Sequence, residues 1–324
     1  MDTLSLGIHS SRISRGLRAD SRRAIVQLMP DTPNIFDREL VRRHRDRAAL
    51  EFTAHDFLIR EVGERLSDRL LDMARSFPLA LDLGARTGGF GPVPGGPGGI
   101  KQVISSDLSY QMLRQANSPA VTADAECLPF AEGAFDLIFS NLDLHWTNDL
   151  PGSLLQIRRA LKPDGLFLAA IFGGETLREL RDVLMSAEAE LRDGASPRVS
   201  PFAELRDAGG LLQRAGFALP VADSDEIVVT YENLFRLAAD LRGMAEGNAL
   251  DERLRLPTGR QVFLHAAQLY AERYPAEDGR IRATFQIVYL HGWAPHESQP
   301  KALRPGSATA WLADALGAAP PDDN

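Results

Sequence analysis

Cysteine is almost missing from this chain of 324 residues: Cys127 stands alone. An internal disulfide and a cysteine-based zinc site are thereby excluded, and the chain suits a reducing compartment. Long apolar runs are missing too. No stretch reaches the roughly 18 uncharged residues that a membrane span needs, so no integral membrane segment is expected. Lysine is confined to Lys101, Lys162 and Lys301, and arginine supplies the rest of the 36 basic side chains. Against 44 acids these leave a net charge of −8, which argues against a general nucleic-acid binder. What is present, 44% hydrophobic and 25% charged residues, is the profile of a globular protein with one large domain or two small ones.

The charge is uneven. Residues 1–50 hold ten Arg against six acids, and the remainder is acidic. Within residues 1–28, Arg12, Arg15, Arg18, Arg22 and Arg23 stand among serines against Asp2 and Asp20. Three origins stay open for this segment: translation that begins at Met29, a floppy native tail, or a targeting segment of mitochondrial type. Residues 1–35 are therefore set apart from the fold as a disordered or mis-assigned extension.

Residues 36–50 and 53–75 read as helices, the second through Phe57, Leu58, Val62, Leu66, Leu70 and Leu71 at helical spacing. After Pro78, Leu79 to Gly84 predicts a short buried strand that ends in a glycine turn. The Gly/Pro run at 88–99 cannot continue as a helix. Further strands are predicted at 103–107, 121–124, 135–140 and 166–172, with helices at 110–116 and 151–161. Strands alternating with helices imply a parallel sheet buried on both faces. Beyond it come helices at 176–191 and 202–215, a strand at 225–230, a mostly helical stretch at 232–275 with a polar break near 246–260, and a last strand at 283–293. Residues 309–324 are expected to be a flexible tail.

Four features lie in order at the carboxyl ends of predicted strands, where open α/β sheets bind ligands. The first is the turn Asp82-Leu83-Gly84-Ala85-Arg86-Thr87-Gly88, whose glycines let backbone approach a nucleotide closely. The second, Asp107, follows 25 residues after Asp82, near the spacing at which an acid takes ribose hydroxyls. A carboxylate suits that task because it is acceptor-only. The third is Asp124-Ala125-Glu126-Cys127-Leu128-Pro129-Phe130, where a carboxylate can accept an adenine amino group beside apolar cover. The fourth is Ser140-Asn141-Leu142-Asp143-Leu144-His145-Trp146. The turn has no lysine or anion cradle, which favours S-adenosylmethionine (SAM) over ATP. Each of the first two features has a structural alternative: the turn also reads as a simple tight turn, and Asp107 as a helix cap.

Asp124 to Phe130, Phe135-Asp136-Leu137-Ile138, Asn141 to Trp146 and Leu161-Lys162-Pro163-Asp164-Gly165 closely resemble class I methyltransferases of the malonyl-carrier-protein type from biotin synthesis. Phe36-Asp37-Arg38, Phe172 to Leu177, Ser200-Pro201-Phe202, Leu212 to Phe217, Asp225-Glu226-Ile227, Met244-Ala245-Glu246-Gly247-Asn248 and Gly292 to Gln299 look like the complex I assembly factor 5 family. The resemblance runs from about Phe36 to Ala308. It implies a Rossmann-like α/β domain over 36–308, with a mostly parallel seven-stranded sheet, helices on both faces and a helical insertion before the last strand. It implies SAM as cofactor, with contacts from Asp82, Gly84, Gly88, Asp107, Leu108, Asp124, Ala125, Glu126 and Asn141. It also implies a protein substrate: members of that family assist assembly of NADH:ubiquinone oxidoreductase and are associated with hydroxylating an arginine of a peripheral-arm subunit. The implied location is the mitochondrial matrix in a eukaryote, or the cytoplasm and inner-membrane face in a bacterium. Methyl transfer, arginine hydroxylation and a non-catalytic assembly role all remain open. One departure stands out: the usual turn has glycine where this chain has Arg86.

His145, Asp143 and His296 are the candidate catalytic residues, His145 as a general base and Asp143 as a substrate or SAM contact. His145 also reads as a Trp-packed cap, and His296 with Glu297 is too small a set for a metal site, so no metal is expected. His265 reads as structural. The segments 174–215 and 231–280 are expected to form a lid over the carboxyl end of the sheet, under which a protein substrate would enter.

Overall fold

The computed structural model describes residues 34–300 apart from 193, 203 and 204. Most of the amino-terminal extension, residues 301–308 of the expected domain and the tail at 309–324 lie outside the described residues. Seven strands form one sheet: β1 Leu79–Leu83, β2 Gln102–Asp107, β3 Ala120–Thr122, β4 Phe135–Asn141, β5 Leu161–Phe172, β6 Ala218–Tyr231 and β7 Ile281–Trp293. Their order is β3-β2-β1-β4-β5-β7-β6. The pairs from β3 through β5 are parallel, and β7 runs antiparallel to both its neighbours. This is the mostly parallel seven-stranded arrangement expected.

Eight helices accompany the described sheet: α1 Arg38–Ala48, α2 Phe57–Asp68, α3 Tyr110–Leu113, α4 Leu150–Ala160, α5 Arg178–Leu191, α6 Leu205–Arg214, α7 Leu234–Gly243 and α8 Arg260–Arg273. One sheet face buries Ala80, Leu137, Leu168 and Phe285 against α2, α5, α7 and α8. The other buries Leu81, Ile138, Phe167 and Leu290 against α4 and α6. A central strand covered on both faces must be apolar at every position, which is why Leu166 to Phe172 has no polar residue. Phe167, Leu168 and Phe285 have no exposed surface, and each such burial stabilises by about 1.5–3 kcal/mol. The sheet centre therefore anchors the strand ends where the site lies.

Two boundaries differ from expectation for physical reasons. The helix expected over 53–75 is α2, ending at Asp68 and preceded by a short 3-10 turn at Phe52–Ala54. Leu70 kept the apolar spacing going because it is a core residue, but it sits in a tight turn in which its N–H donates to the Ser67 carbonyl. β6 is more than twice the expected length. It is an edge strand whose side chains are exposed or half-buried up to Tyr231, held by pairing with β7 rather than by an apolar pattern. The Gly/Pro run after β1 holds only a 3-10 turn at Pro97–Gly99. Helix α2, with Phe52 edge-on to Phe90 at 5.7 Å, covers that part of the sheet instead.

The insertion between β6 and β7 comprises α7, α8 and a connecting segment that returns across the carboxyl ends of the parallel strands. There it meets α1: Asp37 N donates to Ala249 O at 2.8 Å, and Phe36 bridges Leu250. Asp37 caps α1 through the Leu40 N–H, so the helix start and the insertion are fixed together. Among the described residues no helix is long and apolar enough to cross a membrane.

Candidate functional site

The chain leaves β1 through Gly84, whose φ of +79° is one glycine adopts at little cost. Gly84 N and Ala85 N both donate to Ser106 O, at 2.8 and 2.9 Å, which ties the turn to the end of β2. Arg86 follows with φ +51°, a conformation uncommon for a side chain of its size. Its main-chain N–H donates to Asp107 Oδ2 at 2.9 Å. Its guanidinium turns inward with 1% exposure and donates to Asn141 O (2.9 Å), Leu142 O (2.7 Å) and Glu246 Oε1 (2.8 Å).

A second buried arginine comes from α1. Arg45 donates from Nη1 to Asp107 Oδ2 at 2.9 Å and from Nη2 to Asp143 Oδ1. Asp107 Oδ1 accepts the Ser109 N–H at 2.7 Å. Arg38, two turns earlier on α1, pairs with Asp124 and also donates to Trp146 O at 3.0 Å. Asp124 accepts the Glu126 N–H as well. The space in front of the glycine turn is filled by the Asp143 carboxyl group, which an ideal Cβ on Gly84 would overlap.

This crowding sets the protonation. Burial drives the Asp82 carboxyl well above the ordinary range, and the neighbouring Asp107 adds to the effect. Burial also opposes charge on Asp143, but Arg45, Arg86 and Arg38 outweigh it and hold its carboxyl below the usual value. Glu246 behaves likewise: burial is outweighed by His145, Arg86 and Arg45, so its carboxylate is kept ionised.

Glu246 joins this cluster to a cavity. Its Oε2 lies 3.2 Å from His145 Nε2 and accepts Trp146 Nε1–H at 3.0 Å. The His145 ring packs 4.7 Å from Phe172 and 5.7 Å from Phe202. Beyond them lies a cavity of about 220 Å³, bounded by Phe172, Leu180, Phe202, Phe263, Phe285 and Glu246. Arg198 on the same wall is neutralised by Glu188.

The predicted residues divide as follows. Asp82, Gly84, Asp107, Asn141, Asp143 and His145 converge at the strand ends. Asn141 spends its amide on the fold, donating to Ile59 O and Phe90 O at 2.7 and 2.8 Å. Asp124, Ala125, Glu126 and Leu108 lie on the neighbouring side. There Leu108 packs with Phe36 and Trp146, Ala125 joins the core, and Glu126 accepts the Asn148 N–H. Gly88 faces Ser105 and Ala116 and lines a separate cavity of about 290 Å³.

His296 is a correction. β7 is antiparallel, so its end meets the beginning of β5, where Trp293 pairs with Leu166. His296 therefore sits at the opposite end of the sheet, exposed, in a turn with Ser298 and Gln299. His265 is a half-buried partner of Glu190. Among the described residues no group of three His, Cys, Asp or Glu is arranged to hold a metal ion.

Arg38, Arg45 and Glu246 were not singled out from the sequence as site residues. Arg38, Arg42 and Arg45 recur at helical spacing, which places them on one face of α1 and was the available signal. Glu246 is the acid of the Met244 to Asn248 motif, but nothing local shows that this segment returns to the sheet.

The carboxylates at the strand ends are of the type that grips a nucleoside. As folded they do not fit SAM. Asp107 already accepts from three protein donors, a buried guanidinium among them, Asp124 is paired with Arg38, and Asp143 occupies the turn.

The strand order with its single antiparallel insertion, and the acids at the ends of β1 and β2, define the class I methyltransferase fold. A family model described as "Methyltransferase domain" matches residues 81–169. The chain is 44% identical to "Arginine-hydroxylase NDUFAF5, mitochondrial" of Danio rerio, over 87% of this chain and 89% of that protein. It is 46% identical to the protein of the same name from Homo sapiens, over 86% and 83%. It is 36% identical to "Malonyl-[acyl-carrier protein] O-methyltransferase" of Methylovorus sp. (strain MP688), over 81% and 90%. The chain belongs to the NDUFAF5 arginine-hydroxylase family, and it is an enzyme of methyltransferase-like type.

Proposed function

We propose that this enzyme hydroxylates an arginine side chain of a protein substrate, a C–H bond becoming C–OH with the oxygen atom supplied by an external two-electron oxidant. The observation that carries the reading is the buried, ionised Glu246 in the wall of an aromatic cavity at the sheet's carboxyl end. A guanidinium drawn out of water needs a counter-charge, and its faces stack favourably on aromatic rings. A carboxylate offers about four acceptor positions. Arg86, Trp146 and His145 use three of them on Glu246, which leaves a position for one substrate N–H. The lid formed by 174–215 and 231–280 supplies Phe202, Phe263 and Glu246 to that cavity, and so would both exclude water and orient the arginine. The relatives named arginine hydroxylases support the chemistry. The closing Gly292 to Gln299 motif supports assembly of respiratory complex I as its setting, in the matrix of a eukaryote or at the inner-membrane face of a bacterium.

The test is mass spectrometry of arginine-containing peptides from complex I subunits, in cells with and without the protein. The expected result is one arginine that carries an added oxygen only when the protein is present. Identical peptides in both samples would end the reading. A second reading, methyl transfer from SAM to a protein, is supported by the order Asp82, Asp107, Asp124 along the sheet. It predicts labelled-methyl incorporation instead of added oxygen.

A further inference from the structure

We infer that the nucleoside groove of this chain is shut by its own arginines, so that Arg45 of α1 and Arg86 of the turn decide whether SAM enters. The groove has three protein occupants. Arg38 sits on Asp124, where an adenine amino group would donate. Arg45 bridges Asp107 and Asp143, where ribose hydroxyls would donate. Arg86 spans from the turn to the Asn141 and Leu142 carbonyls and Glu246, across the path of a methionine moiety. Each supplies charged donors where the ligand has neutral ones, and an N⁺–H to a carboxylate is the stronger bond. Arg45 and Arg86 are 2% and 1% exposed, so they lie inside the protein rather than over an open slot.

The arrangement is locked from two directions. Arg45 cannot leave unless α1 moves, and α1 is held to the insertion by Asp37 N to Ala249 O and by the pair Arg253–Asp37 at 3.0 Å. Arg86 cannot leave without giving up Glu246, which the insertion also carries. The helix, the turn and the insertion therefore open together or stay closed together. Apparent affinity for SAM is lowered by the fraction of molecules in the open form. This inference does not depend on which chemistry the cavity performs.

The test is calorimetric titration of SAM into the full chain and into Arg45→Met combined with Arg86→Gly. The expected result is binding at least about 100-fold tighter in the double variant than in the wild type. Tight binding by the wild type, or a folded double variant that gains nothing, would overturn the inference. Should the variant fail to fold, hydrogen exchange on the wild type decides. Excess SAM that either changes nothing or exposes the α1 amides agrees with the closed groove. SAM that protects the turn at Gly84 while α1 stays protected overturns it.

Discussion

Arg45→Met is the sharpest probe of the buried cluster. The inner group sets two guanidinium groups, Arg45 and Arg86, against the carboxyls of Asp82, Asp107, Asp143 and Glu246. Burial keeps Asp82 toward its neutral form, so the acids already outnumber the cations by a single charge. Methionine fills most of the same volume but leaves Asp107 and Asp143 without their shared partner. Breaking a buried pair by removing one side costs about 3–5 kcal/mol. For a domain of this size that corresponds to a fall in melting temperature of about 6–20 °C. The pH dependence gives a second check. In the wild type the Asp143 carboxyl is depressed, so its contribution is present above the unfolded value of 3.8 and is lost as pH falls through the folded value. In the variant, burial without that cation raises the Asp143 carboxyl, so the native state gains a proton on mild acidification. The gap between variant and wild type should therefore narrow between about pH 7.5 and about pH 5. Thermal melts at the two pH values measure both effects. A shift of less than about 2 °C, or a gap that widens on acidification, would refute the reasoning.

Asp82→Asn should stabilise the protein at neutral pH. The native carboxyl is raised by burial, so wild-type stability is full below 3.8 and falls as pH rises, and the advantage of Asn should vanish in acid; urea unfolding across pH checks it. Gly84→Ala should cost about 2–4 kcal/mol, because a φ of +79° strains alanine and the new methyl displaces Asp143 from Arg45; denaturant midpoints measure it. Glu246→Gln removes a charge from the side already in excess. It should shift the melting temperature less than Arg45→Met does, yet lower arginine oxidation in cells about tenfold or more, the loss of a charged contact.

The sheet was legible because its signals are local. Leu79 to Gly84 is an apolar run ended by glycine, and Leu166 to Phe172 has no polar position to confuse a buried strand with an exposed one. The acids Asp82, Asp107 and Asp124 were found because each lies at the end of its strand or within two residues beyond it. What the sequence hid depends on distant contacts. Arg45 meets Asp107 across 62 residues, and Glu246 meets Arg86 across 160. Arg86 was visible as a departure from glycine. Its direction was not, since that is set by the Asn141 and Leu142 carbonyls and by an acid in the insertion. His296 misled because a family motif carries no information on which end of the sheet an antiparallel strand reaches.

The most direct measurement is oxygen on arginine. Complex I subunits are isolated from cells that carry wild-type protein, Glu246→Gln or no protein, and their arginine peptides are weighed. An enzyme that holds a substrate guanidinium against Glu246 yields an oxygenated arginine in the first sample and little or none in the other two. Equal oxygenation in all three would contradict the account.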